Sequence, residues 1–107
     1  MIPGPRFSTL PPPTCATPYR DATVTNAQMP DYPAIARRLG NTGTVVVIVG
    51  LSTAGAVSSA SVLVSSGSPY LDAAALEAAR KSRYAPQIFR CEPISGHYLF
   101  RADFSSQ

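Results

Sequence analysis

The chain has 107 residues, eleven prolines, 45% apolar residues and a formal net charge of +3 from nine Lys and Arg against six Asp and Glu. That length allows one domain at most, and the Pro-rich start leaves roughly 75 to 80 residues to build a core of modest stability. The charge excess is mild and sits in two helix-located clusters, Arg37-Arg38 and Arg80-Lys81 with Arg83. It argues against the dense basic stripe with interleaved aromatics that nucleic-acid binding requires. No run of about 18 apolar residues is present to cross a membrane as a helix. Met1 to Pro5 lacks the order of a signal peptide, a positive n-region before an apolar h-region. A protein working outside the cytoplasm would need an exporting segment beyond this sequence.

Eight of the prolines fall in the first 33 residues, including Pro11-Pro12-Pro13. Proline fixes φ and removes a donor, so residues 1 to 20 read as an extended linker or arm and residues 21–107 as the folded domain. Asp21 to Ala27 has weak β character, suited to a short edge strand. Pro33 fits a helix's first turn with Asp31 as a capping carboxylate, and the short helix Ala34 to Leu39 stops at Gly40. Ile35 and Leu39 are four apart and are expected on its buried face. Thr44 to Leu51 carries Val45, Val46, Val47, Ile48 and Val49, the pattern of a central strand covered on both faces. Gly50 inside it predicts a close approach or a bulge. Ser52-Thr53-Ala54-Gly55 then turns the chain into a second strand, in which Ala60, Val62 and Val64 alternate with Ser59, Ser61 and Leu63. Ser68 and Pro69 form an N-cap and first-turn pair for an Ala-rich helix to about Ser82, packing through Leu71, Ala75 and Ala78. Tyr84 and Pro86 end it. The last strand, Gly96 to Phe104, places Tyr98, Phe100, Ala102 and Phe104 on one face and His97, Leu99, Arg101 and Asp103 on the other. The fold class is α+β: a small three-stranded antiparallel sheet with two helices on one face, in the order α-β-β-α-β.

Chemistry finds little purchase here. His97 is the single histidine and stands on a strand with no strained-turn nucleophile near it in sequence. Asp72 and Glu77 are five apart on a helix and point to different faces. Gly40 and Gly43 lack the context of a phosphate loop, and two cysteines are too few for a zinc site. The expectation is a non-enzyme with no cofactor and no bound metal. Cys15 and Cys91 leave two readings open. In an oxidising compartment they close a loop of about 75 residues, which chain entropy values at about 4 kcal/mol; in a reducing one they are free thiols. The final strand also reads two ways. A three-stranded sheet has two edges, and an edge offers unpaired N–H and C=O groups to an extended peptide or to a second copy. Alternatively the strand simply closes the sheet.

Several of these segments match one family in order and spacing. Pro30, Tyr32, Pro33, Ala36 and Arg37 fit a Pro-x-Tyr-Pro-x-x-Ala-Arg opening, and Gly43, Val45, Val47 and Val49 fit a Gly-x-Val-x-Val-x-Val strand. Gly55 and Val57 follow as the turn exit. Ser65, Ser66, Gly67, Leu71, Asp72, Ala74, Ala75 and Leu76 form the strand-to-helix pattern. Tyr84-Ala85-Pro86 and Tyr98-x-Phe100 with Phe104 complete it. Residues 28 to 104 thus resemble the C-terminal domain of TonB-family proteins. The resemblance implies a periplasmic, inner-membrane-anchored transducer reached through a Pro-rich linker and driven by a proton-powered inner-membrane motor. It also implies capture of the TonB-box peptide of an outer-membrane receptor as an added strand. The implied contacts are His97, Tyr98, Leu99, Phe100, Arg101, Ala102 and Asp103, aided by Gln28, Met29, Pro30 and Tyr32. Met29 stands where some members carry Gln, and Gln28 lies one residue earlier. The alternative is a free-standing TonB-like peptide-binding or structural module with no link to a motor. A homodimer by strand exchange is a further expected partner state.

Overall fold

The computed structural model describes residues 14–105 of the chain. In chain order the elements are β1 (Tyr19–Arg20), β2 (Thr23–Asn26), α1 (Ala34–Arg38), β3 (Gly43–Leu51), β4 (Val57–Val64), α2 (Pro69–Lys81), β5 (Arg83–Ala85), β6 (Gln87–Phe89), β7 (Glu92–Ile94) and β8 (Gly96–Phe104). The class is α+β. The main sheet runs β4-β3-β8, with β3 antiparallel to both neighbours, while β1-β6-β7 and β2-β5 form two small satellites.

The core lies between one face of the main sheet and α2. Val45, Val47, Val49 and Leu51 of β3 and Phe100, Ala102 and Phe104 of β8 meet Leu71, Ala75, Ala78 and Ala79 of α2, all buried. Alanine's small side chain lets the helix axis come close, and each buried Val or Leu contributes about 1.5–3 kcal/mol. Ser68 caps α2 by accepting from the Leu71 N–H at 3.5 Å, and Pro69 opens its first turn. Asp72 reaches back to accept from the Ser66 N–H (3.0 Å) and the Ser66 hydroxyl (2.8 Å), fixing the exit from β4. The Ser65-Ser66-Gly67 segment is therefore a hydrogen-bonded link between strand and helix.

Four local expectations need correction. First, among the described residues β3 is covered on one face only: Val46 and Ile48 are half-buried on the open face, over which none of those residues forms a second layer. Second, Val64 is half exposed, since a register shift between Val46 and Val47 turns it out of the alternation. Third, Ile35 and Leu39 are exposed, and the buried residue of α1 is Ala36. In this five-residue helix the position turned to the core is 36, and Ala36 joins the buried cluster with residues of β3 and α2. Fourth, Asp31 makes no cap; Pro33 occupies the N-cap position and no side chain bonds there.

Gly50 and Gly55 meet real constraints. A Cβ on Gly50 would sit 2.4 Å from the Ser59 hydroxyl, and the β3–β4 register shifts beside it. Gly55 has φ +82°, and its Cβ would lie 2.6 Å from the Tyr84 carbonyl oxygen.

The stretch from Arg83 to Ile94 holds three strands that sequence pattern did not suggest. A two-residue turn, Arg90-Cys91, joins β6 to β7 with Phe89 facing Glu92. Both turn residues have positive φ, 50° and 67°, as the twist of a tight hairpin demands. Cys15 and Cys91 form a disulfide across 76 residues. Residues 1–13 of the expected linker lie outside the described residues.

Candidate functional site

β8 occupies one edge of the main sheet, and β4 the other. The two edges differ. β8 pairs with β3 over nine residues in unbroken register, from Gly43↔Phe104 to Leu51↔Gly96. β4 has two register shifts against β3 and is rich in serine. Bulges twist an edge and blunt it, whereas a long regular strand leaves a continuous row of backbone donors and acceptors. Among the described residues no strand pairs with the outer side of β8.

The side chains of β8 alternate as their sequence suggests. Tyr98, Phe100, Ala102 and Phe104 turn inward, where Tyr98 tilts against Tyr84 with centroids 5.4 Å apart. His97, Leu99, Arg101 and Asp103 are exposed on the open face. There the charges are matched within the sheet: the Asp103 carboxylate accepts from the Thr44 hydroxyl at 2.6 Å and from Arg101 Nε at 3.2 Å. The hydrogen bond from Thr44, then that from Arg101, holds the Asp103 carboxyl below its ordinary range. Leu99, 56% exposed, therefore stands as an apolar side chain beside a neutralised pair. Next to it on the same face are Ile48 and, one row on, Val46.

The strap of residues 28–33 runs along α2 on the helical side of the domain. The Gln28 N–H donates to the Ser82 hydroxyl at 2.9 Å, near the C-terminal end of α2. At the other end the Tyr32 hydroxyl donates to the Asn41 carbonyl, and the Asn41 amide donates to the Ser68 hydroxyl. The Tyr32 ring meets Phe104 edge-on, with centroids 5.4 Å apart and planes at 85°, while the Arg37 guanidinium lies 4.9 Å from its centre. Between strap and helix is an open groove of about 520 Å³, lined by Gln28, Met29, Pro30 and Asp31 from the strap and by Tyr70, Ala74 and Lys81 from α2. Met29 is 88% exposed on its rim.

The residues singled out from sequence thus fall in two places. His97 to Asp103 form one continuous edge, and Tyr32 touches its far end through Phe104. Gln28, Met29 and Pro30 lie along α2 instead. His97 lines a separate polar recess with Gly50, Ser58, Ser59 and Gln87. Of that group Gly50, Ser59 and His97 were named from sequence, but nothing in the sequence brought them together with Ser58 and Gln87. Thr44, the partner of Asp103, carried none, because the pair is 59 residues apart in the chain. Among the described residues no group of His, Cys, Asp and Glu could hold a metal ion, and no helix is long and apolar enough to cross a membrane.

Residues 28–105 match the family model described as the Gram-negative bacterial TonB protein C-terminal. The chain belongs to this family. It is also 36% identical over 76 residues to Protein TonB of Vibrio cholerae serotype O1, a match covering 71% of this chain and 31% of that relative. The chain therefore spans about a third of the length of the curated relative it matches. The TonB C-terminal match begins at the strap and takes in α1, α2 and the whole main sheet. Cys15, β1 and β2 lie ahead of it.

Proposed function

We propose that this TonB C-terminal domain is the periplasmic, receptor-facing part of an energy-transducing protein, and that β8 takes up an extended receptor peptide by strand addition. One observation carries the reading. Of the two edges of the main sheet, β8 alone is long, regular and free of bulges. Backbone hydrogen bonds along such an edge supply affinity, and the side chains flanking every second residue supply selectivity. The peptide here is the TonB box of an outer-membrane receptor, and Tyr32 with the strap limits the end of the edge at Phe104. Transduction involves no bond chemistry: a peptide hydrogen-bonded along its length transmits a pull along the strand. The inner-membrane anchor and its proton-driven motor partners act through parts of the full protein other than this domain.

Site-specific photocrosslinking tests the choice of edge. A benzophenone side chain at Leu99 should capture a TonB-box peptide, while the same group at Ser61 on β4 should not. Equal capture at both positions, or capture at Ser61 alone, defeats the assignment to β8. Crosslinks from Leu99 to a second copy of the chain, in preference to peptide, would make this edge a dimer contact instead.

A further inference from the structure

We infer that the Cys15–Cys91 disulfide is a mechanical bypass, which passes tension arriving from the N-terminal side straight to β8 and keeps residues 16–90 out of the line of force. The inference rests on the proposed function, in which the pull reaches a receptor peptide through β8.

Two routes lead from Cys15 to β8. Along the backbone, tension passes β1, β2, the strap, α1, β3, β4, α2, β5 and β6 before it reaches Cys91. The first elements on that route are the weakest. β1 has two exposed residues, and β2 has four residues with a register shift against β5. Neither contributes a fully buried side chain to the core. Strands this short, pulled from one end, open one hydrogen bond at a time. Through the disulfide the route is shorter: Cys15, Cys91, β7 and then β8, whose nine residues are paired along β3.

The anchor is built to hold. The Cys91 N–H donates to the Pro18 carbonyl at 3.0 Å, and the Cys15 N–H donates to Cys91 Sγ at 3.3 Å. One Arg20 guanidinium nitrogen donates to the Pro86 carbonyl at 3.0 Å, and Tyr19 packs edge-on against Phe89 with centroids 5.6 Å apart. All four contacts converge on or beside the β6–β7 hairpin, whose turn keeps Arg90 and Cys91 at positive φ. L-residues adopt that conformation at a cost, so the turn persists because its surroundings fix it. The bond holds the two Cα atoms 5.8 Å apart. Without it, the 76-residue separation would let them part by about 270 Å at full extension.

The test pulls the oxidised protein between its N-terminus and an azide-bearing side chain at Leu99, the point where a bound peptide would pull. Peeling Cys15 to Asn26 lengthens the tether by about 40 Å, at roughly 3.5 Å per residue. The oxidised wild type should show no such step before β8 itself detaches. A Cys15→Ser/Cys91→Ser variant should show it at lower force. Because that variant is less stable, wild-type protein held at constant low force is also exposed to a phosphine reductant, and reduction should produce the same step. A step in the oxidised wild type overturns the inference. So does an arm that, after reduction, holds to the same force as before. A separate titration without force reads peptide binding, so failure of strand addition and failure of the bypass are told apart.

Discussion

The contact between Tyr32 and Phe104 joins the strap to the end of the candidate edge, and its removal should be felt at both. Phe104 is 5% exposed and meets the Tyr32 ring at 5.4 Å and 85°. Truncating a buried Phe to Ala costs about 3–5 kcal/mol, a large part of the roughly 5–15 kcal/mol available to a domain of this size. Milder changes keep every variant folded: Phe104→Leu, Tyr32→Leu and the two together, beside the wild type. The ring pair itself should be worth about 0.5–1.5 kcal/mol beyond the area it buries. Urea unfolding followed by circular dichroism gives the four stabilities. The double variant should then lose less than the sum of the singles by about that coupling. Single losses that add within about 0.3–0.5 kcal/mol would refute the reasoning, because independent sites behave that way. Amide signals of Gln28 to Asp31 should shift in Phe104→Leu as well, since the strap loses its pin.

Three other outcomes follow from the geometry. Replacing both cysteines by serine opens a loop whose ends are 76 residues apart, and should cost about 4.5 kcal/mol in the chain-entropy account; at a urea slope of about 1.5 kcal/mol per molar the midpoint falls by about 3 M, and a loss below about 1 kcal/mol would contradict it. Gly55→Ala should cost more than Gly67→Ala: both glycines have positive φ, but only at Gly55 would the new Cβ lie 2.6 Å from a backbone oxygen. Thermal unfolding compares them, with about 1–2 kcal/mol expected at each site for the left-handed backbone alone and equal losses refuting the clash. Burial raises the Asp72 carboxyl, but the hydrogen bonds from Ser65 and Ser66 outweigh it and hold the group below its ordinary value. Its stabilising contribution is complete above the unfolded carboxyl value near about 3.9 and disappears as pH falls through the lower folded value. The stability gap between wild type and Asp72→Asn should therefore be wide at neutral pH and narrow in acid, by urea midpoints; a gap independent of pH would contradict the assignment.

The parts of the fold legible in the sequence are those specified locally. Ser68, Pro69 and Asp72 announce the start of α2 because capping needs side chains within a turn of the helix end. The alternation from His97 to Phe104 announces β8 because its two faces meet different environments. Where partners are distant, the sequence is silent. Val46 and Val47 look alike, and what separates them is that Val47 faces α2 and the core while, among the described residues, no layer covers the face of Val46. Ala36 is buried in place of Ile35 because position 36 is the one that faces the core, and spacing along a five-residue helix does not reveal that. The β6–β7 turn has neither Gly nor Asn; Arg90 and Cys91 are held at positive φ by a disulfide and by a bond to Pro18, both far away in the chain. Residues His97 to Asp103 were visible as a strand. That their outer edge is the regular one depends on register shifts in β4, which no side-chain pattern records.

The most direct test of strand addition at β8 is a backbone NMR titration of the oxidised domain with TonB-box peptides. The account predicts shift changes concentrated on His97 to Asp103, with smaller ones from Met29 to Tyr32, and slowed exchange of alternate β8 amides. Changes centred on β4 or on the groove beside α2, or an unaltered spectrum of folded protein at millimolar peptide, would contradict it.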